Sequence, residues 1–170
     1  MSKAFTRESD DGPDLPTVSR LVSALPPGAK NYLTPAGAKG LRDELDRLMQ
    51  VERPKAAAGS DVNEVKRRVQ LVDQRIRQLE ESLQSAEIVP PPAPPWEQVR
   101  FGATVRVRDA AGEETNYRIV GVDETDIDRD WVSWLSPIAR ALVNRRVGDK
   151  VKLRVPAGER VLEVLGVNYE

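Results

Sequence analysis

The sequence predicts an α+β chain: an N-terminal antiparallel coiled-coil hairpin of two helices, then a small antiparallel sheet carrying one short helix. Three observations carry this. Val62, Val65, Val69, Val72, Ile76, Leu79, Leu83 and Ala86 recur at alternating spacings of three and four, an uninterrupted heptad stripe. Pro90-Pro-Pro-Ala-Pro-Pro95 follows, a run that favours a stiff polyproline II spacer and ends the helical part. Beyond it the apolar period drops to two, as in Thr104-Val-Arg-Val-Arg108, which is the mark of strands.

Residues 1–31 mix charges, Ser, Gly and Pro without apolar periodicity and read as a mobile tail. Residues 32–89 form the hairpin. Thr34-Pro35 opens its first helix, with Thr as cap and Pro at the first helical position. Leu41, Leu45 and Leu48 make its seam, extended by Val51 and Ala58 with Lys55 as a polar interruption. Pro54 removes a helical hydrogen bond and should kink this helix. Gly59-Ser60 is the turn. Asp61, with Glu64 three residues on, starts the second helix as a cap with a carboxylate in the first turn. So short a turn makes the helices antiparallel, and about 25 residues at about 1.5 Å each give a finger roughly 35 Å long. With one apolar face per helix it protrudes and encloses no pocket.

Residues 90–95 are the linker and residues 96–170 the second domain. Its expected strands are 104–108, 117–122, 131–134, 151–155 and 160–165. Ser136-Pro137 caps and opens a short helix from Ile138 to Val143. Turns fall at 110–114, 147–149 and 156–158.

Composition limits the chemistry. Among 170 residues, 26 Lys and Arg balance 27 Asp and Glu, which argues against a basic protein that coats nucleic acid. The absence of Cys removes thiolate nucleophiles and Cys-type zinc sites, and the absence of His removes the commonest general base. Chemistry must come from carboxylates or from a site on a partner. The polar first residues lack the core of a signal peptide, and no stretch approaches 18 apolar residues, so a cytoplasmic protein with no membrane contact is expected.

Two passages together are specific. The first is Tyr32-Leu-Thr-Pro-Ala-Gly37 leading into Leu41, Leu45 and Leu48, with Glu52-Arg-Pro54 further on. The second is Ile119-Val-Gly-Val-Asp-Glu124, then Ser136-Pro-Ile-Ala-Arg-Ala-Leu142, then Val147-Gly-Asp149. Between them lies Asp73-Gln-Arg-Ile-Arg-Gln-Leu79. Over residues 32–170 the chain resembles the bacterial Gre transcript-cleavage factors, GreB-like members more than GreA-like ones. The resemblance implies a C-terminal domain like that of FK506-binding proteins, docked at the rim of the secondary channel of bacterial RNA polymerase. It implies a coiled-coil finger passing down that channel toward nascent RNA, whose tip acids help hold a polymerase-bound magnesium ion. On that reading the protein is an accessory factor acting as a monomer, with no catalytic residue and no cofactor of its own. Hydrolysis of a phosphodiester by metal ions needs oxygen ligands and a placed water, so a chain without His or Cys can contribute.

The tip departs from the family. Active members carry an Asp, then three residues later a Glu followed by Asn, on a longer hairpin. Here each helix is about one heptad shorter, which sets the tip back by roughly 10 Å. Metal–oxygen distances are only about 2 Å, so such a shortfall predicts weak or absent cleavage. Asp61 and Glu64 read either as a displaced version of the acidic pair, giving an active cleavage factor, or as an ordinary helix cap.

Lys66, Arg67 and Arg68 resemble the family's basic patch near RNA, and read equally as a solvated helix face. Ser136 and Pro137 match the polymerase-docking segment and also start a helix. Leu135 stands where the family has an acid. Trp131 and Trp134, three apart, put one ring toward the core and the other outward beside the docking segment. The acids from Asp123 to Asp130 lack the Gly and Glu of a calcium loop and read as a solvated loop. A reading of another class, a prolyl isomerase or chaperone, follows from the fold of the C-terminal domain alone, and a proline-isomerisation assay separates it from the first.

Overall fold

The computed structural model describes residues 25–170, so the expected tail falls mostly outside them. The chain runs β1 (Asn31–Leu33), α1 (Pro35–Arg47), a π-helical turn (Leu48–Glu52), α2 (Arg53–Ala57), α3 (Val62–Ser85) and β2 (Ala86–Ile88). Then come β3 (Thr104–Asp109), β4 (Glu114–Val120), β5 (Trp131–Ser133), α4 (Pro137–Leu142), β6 (Lys150–Val155) and β7 (Gly158–Asn168).

The helical part begins as its sequence dictates. The Thr34 hydroxyl accepts the Gly37 N–H at 2.9 Å and Pro35 takes the first helical position. Past Leu48 the helix departs from expectation. Pro54 cannot donate to the carbonyl four residues back, and the chain widens into a π turn in which the Arg53 N–H reaches the Leu48 carbonyl. One extra residue in that turn rotates everything beyond it. The seam therefore runs Leu41, Leu45, Leu48 and then Ala56, which is buried; Val51, Lys55 and Ala58 face solvent. The sequence-based seam through Val51 and Ala58 is thus corrected: Ala56 takes the inner position, with the partly buried Glu52 between it and Leu48.

α3 follows the heptad stripe, and burial deepens away from the turn. Val62 is 78% exposed, Val65, Val69 and Val72 are half-buried, and Leu79 is 2% exposed. Leu33, Ala38, Leu41, Leu48, Ile76 and Leu79 form one buried cluster. Two ion pairs fix the register of the arms. Arg75 grips Glu44 through Nε at 2.9 Å and Nη2 at 3.1 Å, and Arg53 Nε meets Asp73 Oδ1 at 2.6 Å. The Arg53 guanidinium holds the Asp73 carboxyl below its ordinary value, chiefly by that hydrogen bond, with burial opposing. A carboxylate so depressed stabilises the fold above its unfolded value, and the contribution fades as pH falls through the folded value. Melting of the helices is therefore expected to drop below about pH 4, and Asp73→Asn to flatten that drop in a circular-dichroism series against pH.

Helix does not fill all of 32–89. β1 and β2 flank the helices and pair in parallel, Asn31 opposite Ala86 and Leu33 opposite Ile88. Parallel strands need a long crossover, and the helical excursion supplies it. Asn31 is buried, its amide donating to the Ser82 carbonyl at 3.0 Å and to Ser85 Oγ at 3.2 Å, so this residue, read from the sequence as the end of the tail, packs with the helical part.

The second part is a five-stranded sheet in the order β5-β4-β3-β7-β6. Valines alternate inward along β3, and the inner face packs Val105, Val107, Ile119 and Val164 with Ala139 and Leu142 of α4 in a separate core. Tyr169 closes one edge: its hydroxyl donates to the Gln98 carbonyl and accepts the Arg100 N–H, both at 3.0 Å. The expectation of a wholly antiparallel sheet is corrected at β5, which runs parallel to β4. Two 3-10 turns, Val122–Glu124 and Ile127–Arg129, carry the chain across instead of a tight hairpin.

Candidate functional site

Three places hold the residues singled out by the sequence. The first is the turn between the helices. Gly59 sits at φ 142°, and a Cβ there would lie 3.0 Å from Arg68 Nη2 and 3.2 Å from Val65 Cγ2, so this position needs glycine. Arg68 folds back over the turn, Nη2 donating to the Ala58 carbonyl at 2.9 Å. Its Nε is buried without a partner. Arg68 thus closes the turn, while Lys66 and Arg67, grouped with it by sequence, are exposed. Asp61 caps α3: Oδ1 accepts the Asn63 N–H at 3.0 Å and the Glu64 N–H at 3.1 Å. Glu64 is exposed in the first turn. Among the described residues no cluster of acids could hold a metal ion by itself.

The second place is the segment after β4. Ser136 Oγ accepts the Ala139 N–H at 3.2 Å and Pro137 opens α4. Trp134 packs against the sheet core, its ring 5.1 Å from that of Tyr32. Trp131 is half-buried at the edge, its ring between Arg118 at 4.6 Å and Arg129 at 5.3 Å. Leu135 is half-buried beside them.

The third place is the joint between the two parts, which sequence reasoning missed. Glu124, read as part of a solvated loop, turns back instead. Its Oε2 accepts the N–H groups of Thr34 and Gly121, each at 2.9 Å, and its Oε1 accepts the Thr34 hydroxyl. Ser82 donates to Asp123 beside it. A mostly apolar hollow of about 280 Å³ adjoins the joint, with Gly40, Leu41 and Trp131 in its wall. Arg118, 8% exposed, also lines it and pairs with Glu170 at 2.7 Å. The signal lay in the two specific passages themselves: Tyr32–Gly37 and Ile119–Glu124 meet here.

Among the described residues no helix is long and apolar enough to cross a membrane. The family model described as "Transcription elongation factor, GreA/GreB, C-term" matches residues 93–169. The GreB transcription elongation factor of Neisseria meningitidis serogroup A is 42% identical over 154 residues, covering 82% of this chain and 94% of its own. A GreA of Alkalilimnicola ehrlichii is 40% identical over 156 residues, covering 83% of this chain and 99% of its own. Among solved structures, GreA factor homolog 1 (Gfh1) of Thermus thermophilus matches at 25% identity over 82% of this chain and 99% of that one; its TM-score of 0.39 is too low to bear on how the parts are placed. Identity of this extent, spanning helices and sheet alike, makes the chain a member of the GreA/GreB family of transcription elongation factors.

Proposed function

We propose that this chain is a cytoplasmic elongation regulator that docks as a monomer at the secondary channel of bacterial RNA polymerase. Its helical hairpin acts there as a coiled-coil finger, and it stimulates transcript cleavage weakly or not at all. The docking contact is assigned to Trp131, Trp134, Ser136 and Pro137, and the approach to nascent RNA to Lys66 and Arg67.

One observation carries the weak-cleavage reading. The 154 aligned positions of the Neisseria relative occupy 82% of this chain's 170 residues, so about 15 of those positions have no residue here. That is close to two heptads, the deficit expected if each arm of the hairpin is one heptad short. The turn supports the same reading: Asp61 Oδ1 is already taken by two backbone N–H groups. A carboxylate committed to capping is a poorer magnesium ligand than an uncommitted one. In this assignment any magnesium belongs to the polymerase.

The test pairs a pull-down on core polymerase at low salt with cleavage of a stalled, backtracked complex. The expected result is association, no acceleration of cleavage, and slower cleavage by a longer Gre factor added in competition. Failure to associate defeats the docking assignment. Rapid cleavage that vanishes in Glu64→Ala defeats the reading of the tip.

A further inference from the structure

We propose that Glu124 is the positioning residue that fixes the direction in which the helical hairpin leaves the sheet domain, a role that rests on the finger reading above. The side chain sits on the sheet domain's first 3-10 turn, while the groups it binds open α1. One carboxylate therefore bridges two parts whose buried cores are separate clusters. Its Oε2 holds a backbone N–H from each part, Thr34 and Gly121. The Thr34 hydroxyl spans the same gap, giving its proton to Glu124 and taking the Gly37 N–H.

The surroundings are shaped for this contact. A Cβ on Gly37 would overlap the Glu124 carboxylate. A Cβ on Gly121 would overlap the Tyr32 carbonyl and come within 2.8 Å of Glu124 Oε2. Both glycines are there for close approach, because neither has the positive φ that would need glycine for its own sake. On one flank Tyr32 packs against Trp134 and Phe101, at 5.1 and 5.7 Å between ring centroids. On the other Ser82, near the base of α3, donates to Asp123. Contacts at both arms of the hairpin resist both tilt and swing.

The lever arm makes the joint matter. α3 is 24 residues long, about 36 Å, so a tilt of about 15° at its base carries the tip roughly 9 Å sideways. A displacement of that size is large against the scale on which a group must be placed to act.

The test uses the full chain, whose lack of Cys lets spin labels be placed without background. Asn63→Cys near the tip and Asn116→Cys on the exposed face of β4 report the angle between the parts. The native joint is expected to give one narrow distance distribution, and Glu124→Ala one about twofold broader or more. Thr34→Ser, which keeps the hydroxyl, is expected to stay narrow, and Thr34→Val to broaden. Should Glu124→Ala fail to fold, the Thr34 pair decides. An unchanged distribution in Glu124→Ala, or in both Thr34 variants, overturns the proposal. On polymerase, Glu124→Ala is expected to compete less with a longer Gre factor at equal added concentration, because a misdirected finger enters the channel less readily; equal competition also overturns the proposal. The label measurement needs no polymerase, so it separates failure of this proposal from failure of the finger reading.

Discussion

Leu79→Ala is expected to destabilise the helical hairpin by about 3 kcal/mol, while Val62→Ala, on the same heptad stripe, changes its stability by no more than about 0.5 kcal/mol. Leu79 is 2% exposed and belongs to a core of six buried residues. Removing three carbons there forfeits their transfer free energy and leaves a cavity that so few neighbours cannot collapse to fill. Val62 is 78% exposed. It has almost no burial to lose, and alanine is the better helix former. The hairpin core and the sheet core are separate clusters, so the loss should appear as earlier melting of the helical signal, with the near-ultraviolet signal of the Trp96–Tyr169 pair persisting to higher temperature. Equal costs at both positions would mean that the end of the hairpin is packed against something and does not stand free.

The contrast between those two valine-or-leucine positions is also where the sequence was most and least informative. Spacing placed α3 within a residue or two at either end and identified Asp61 and Ser136 as caps, because periodicity and capping are local properties. It did not give depth of burial, since a heptad repeat reads the same at the base of a hairpin as at its end. Nor did it show that Lys55 leaves the seam. That follows from one π turn ahead of Pro54, a tertiary adjustment which replaces an awkward lysine with Ala56. β1 and β2 are three residues each, too short for an alternating pattern, and they pair across the whole hairpin. Arg68 looked like its neighbours Lys66 and Arg67 because only the fold of the turn brings the Ala58 carbonyl to it. Glu124 was hidden in a run of acids for a similar reason. Its partners stand 90 residues away in the chain, and a composition-based reading of 123–130 as a solvated loop has no access to them.

Adding one heptad to each arm, between the Arg53–Asp73 pair and the turn, is expected to raise cleavage of a backtracked transcript by about a hundredfold or more over the unmodified chain. The insertion leaves the turn from Ala58 to Glu64 intact, together with its Arg68 closure and the ion pairs that set the register below it. Whole heptads preserve the phase of both seams, so the added turns carry the same apolar stripe. Seven residues per arm return roughly 10 Å of reach, against metal–oxygen distances of about 2 Å. What the longer chain gains should then depend on charge at the tip. Asp61→Asn is the informative partner, because Asn caps a helix about as well as Asp and removes only the negative charge. In the lengthened chain Glu64→Gln should abolish the gain and Asp61→Asn should lower it less, since the Asp61 carboxylate is partly committed to the cap, while both leave helical melting unchanged. In the unmodified chain the same substitutions should alter cleavage little. If instead Asp61→Asn leaves the lengthened chain fully active while Glu64→Gln silences it, Asp61 serves only as the cap that its two bonds to Asn63 and Glu64 describe, and Glu64 alone supplies the ligand.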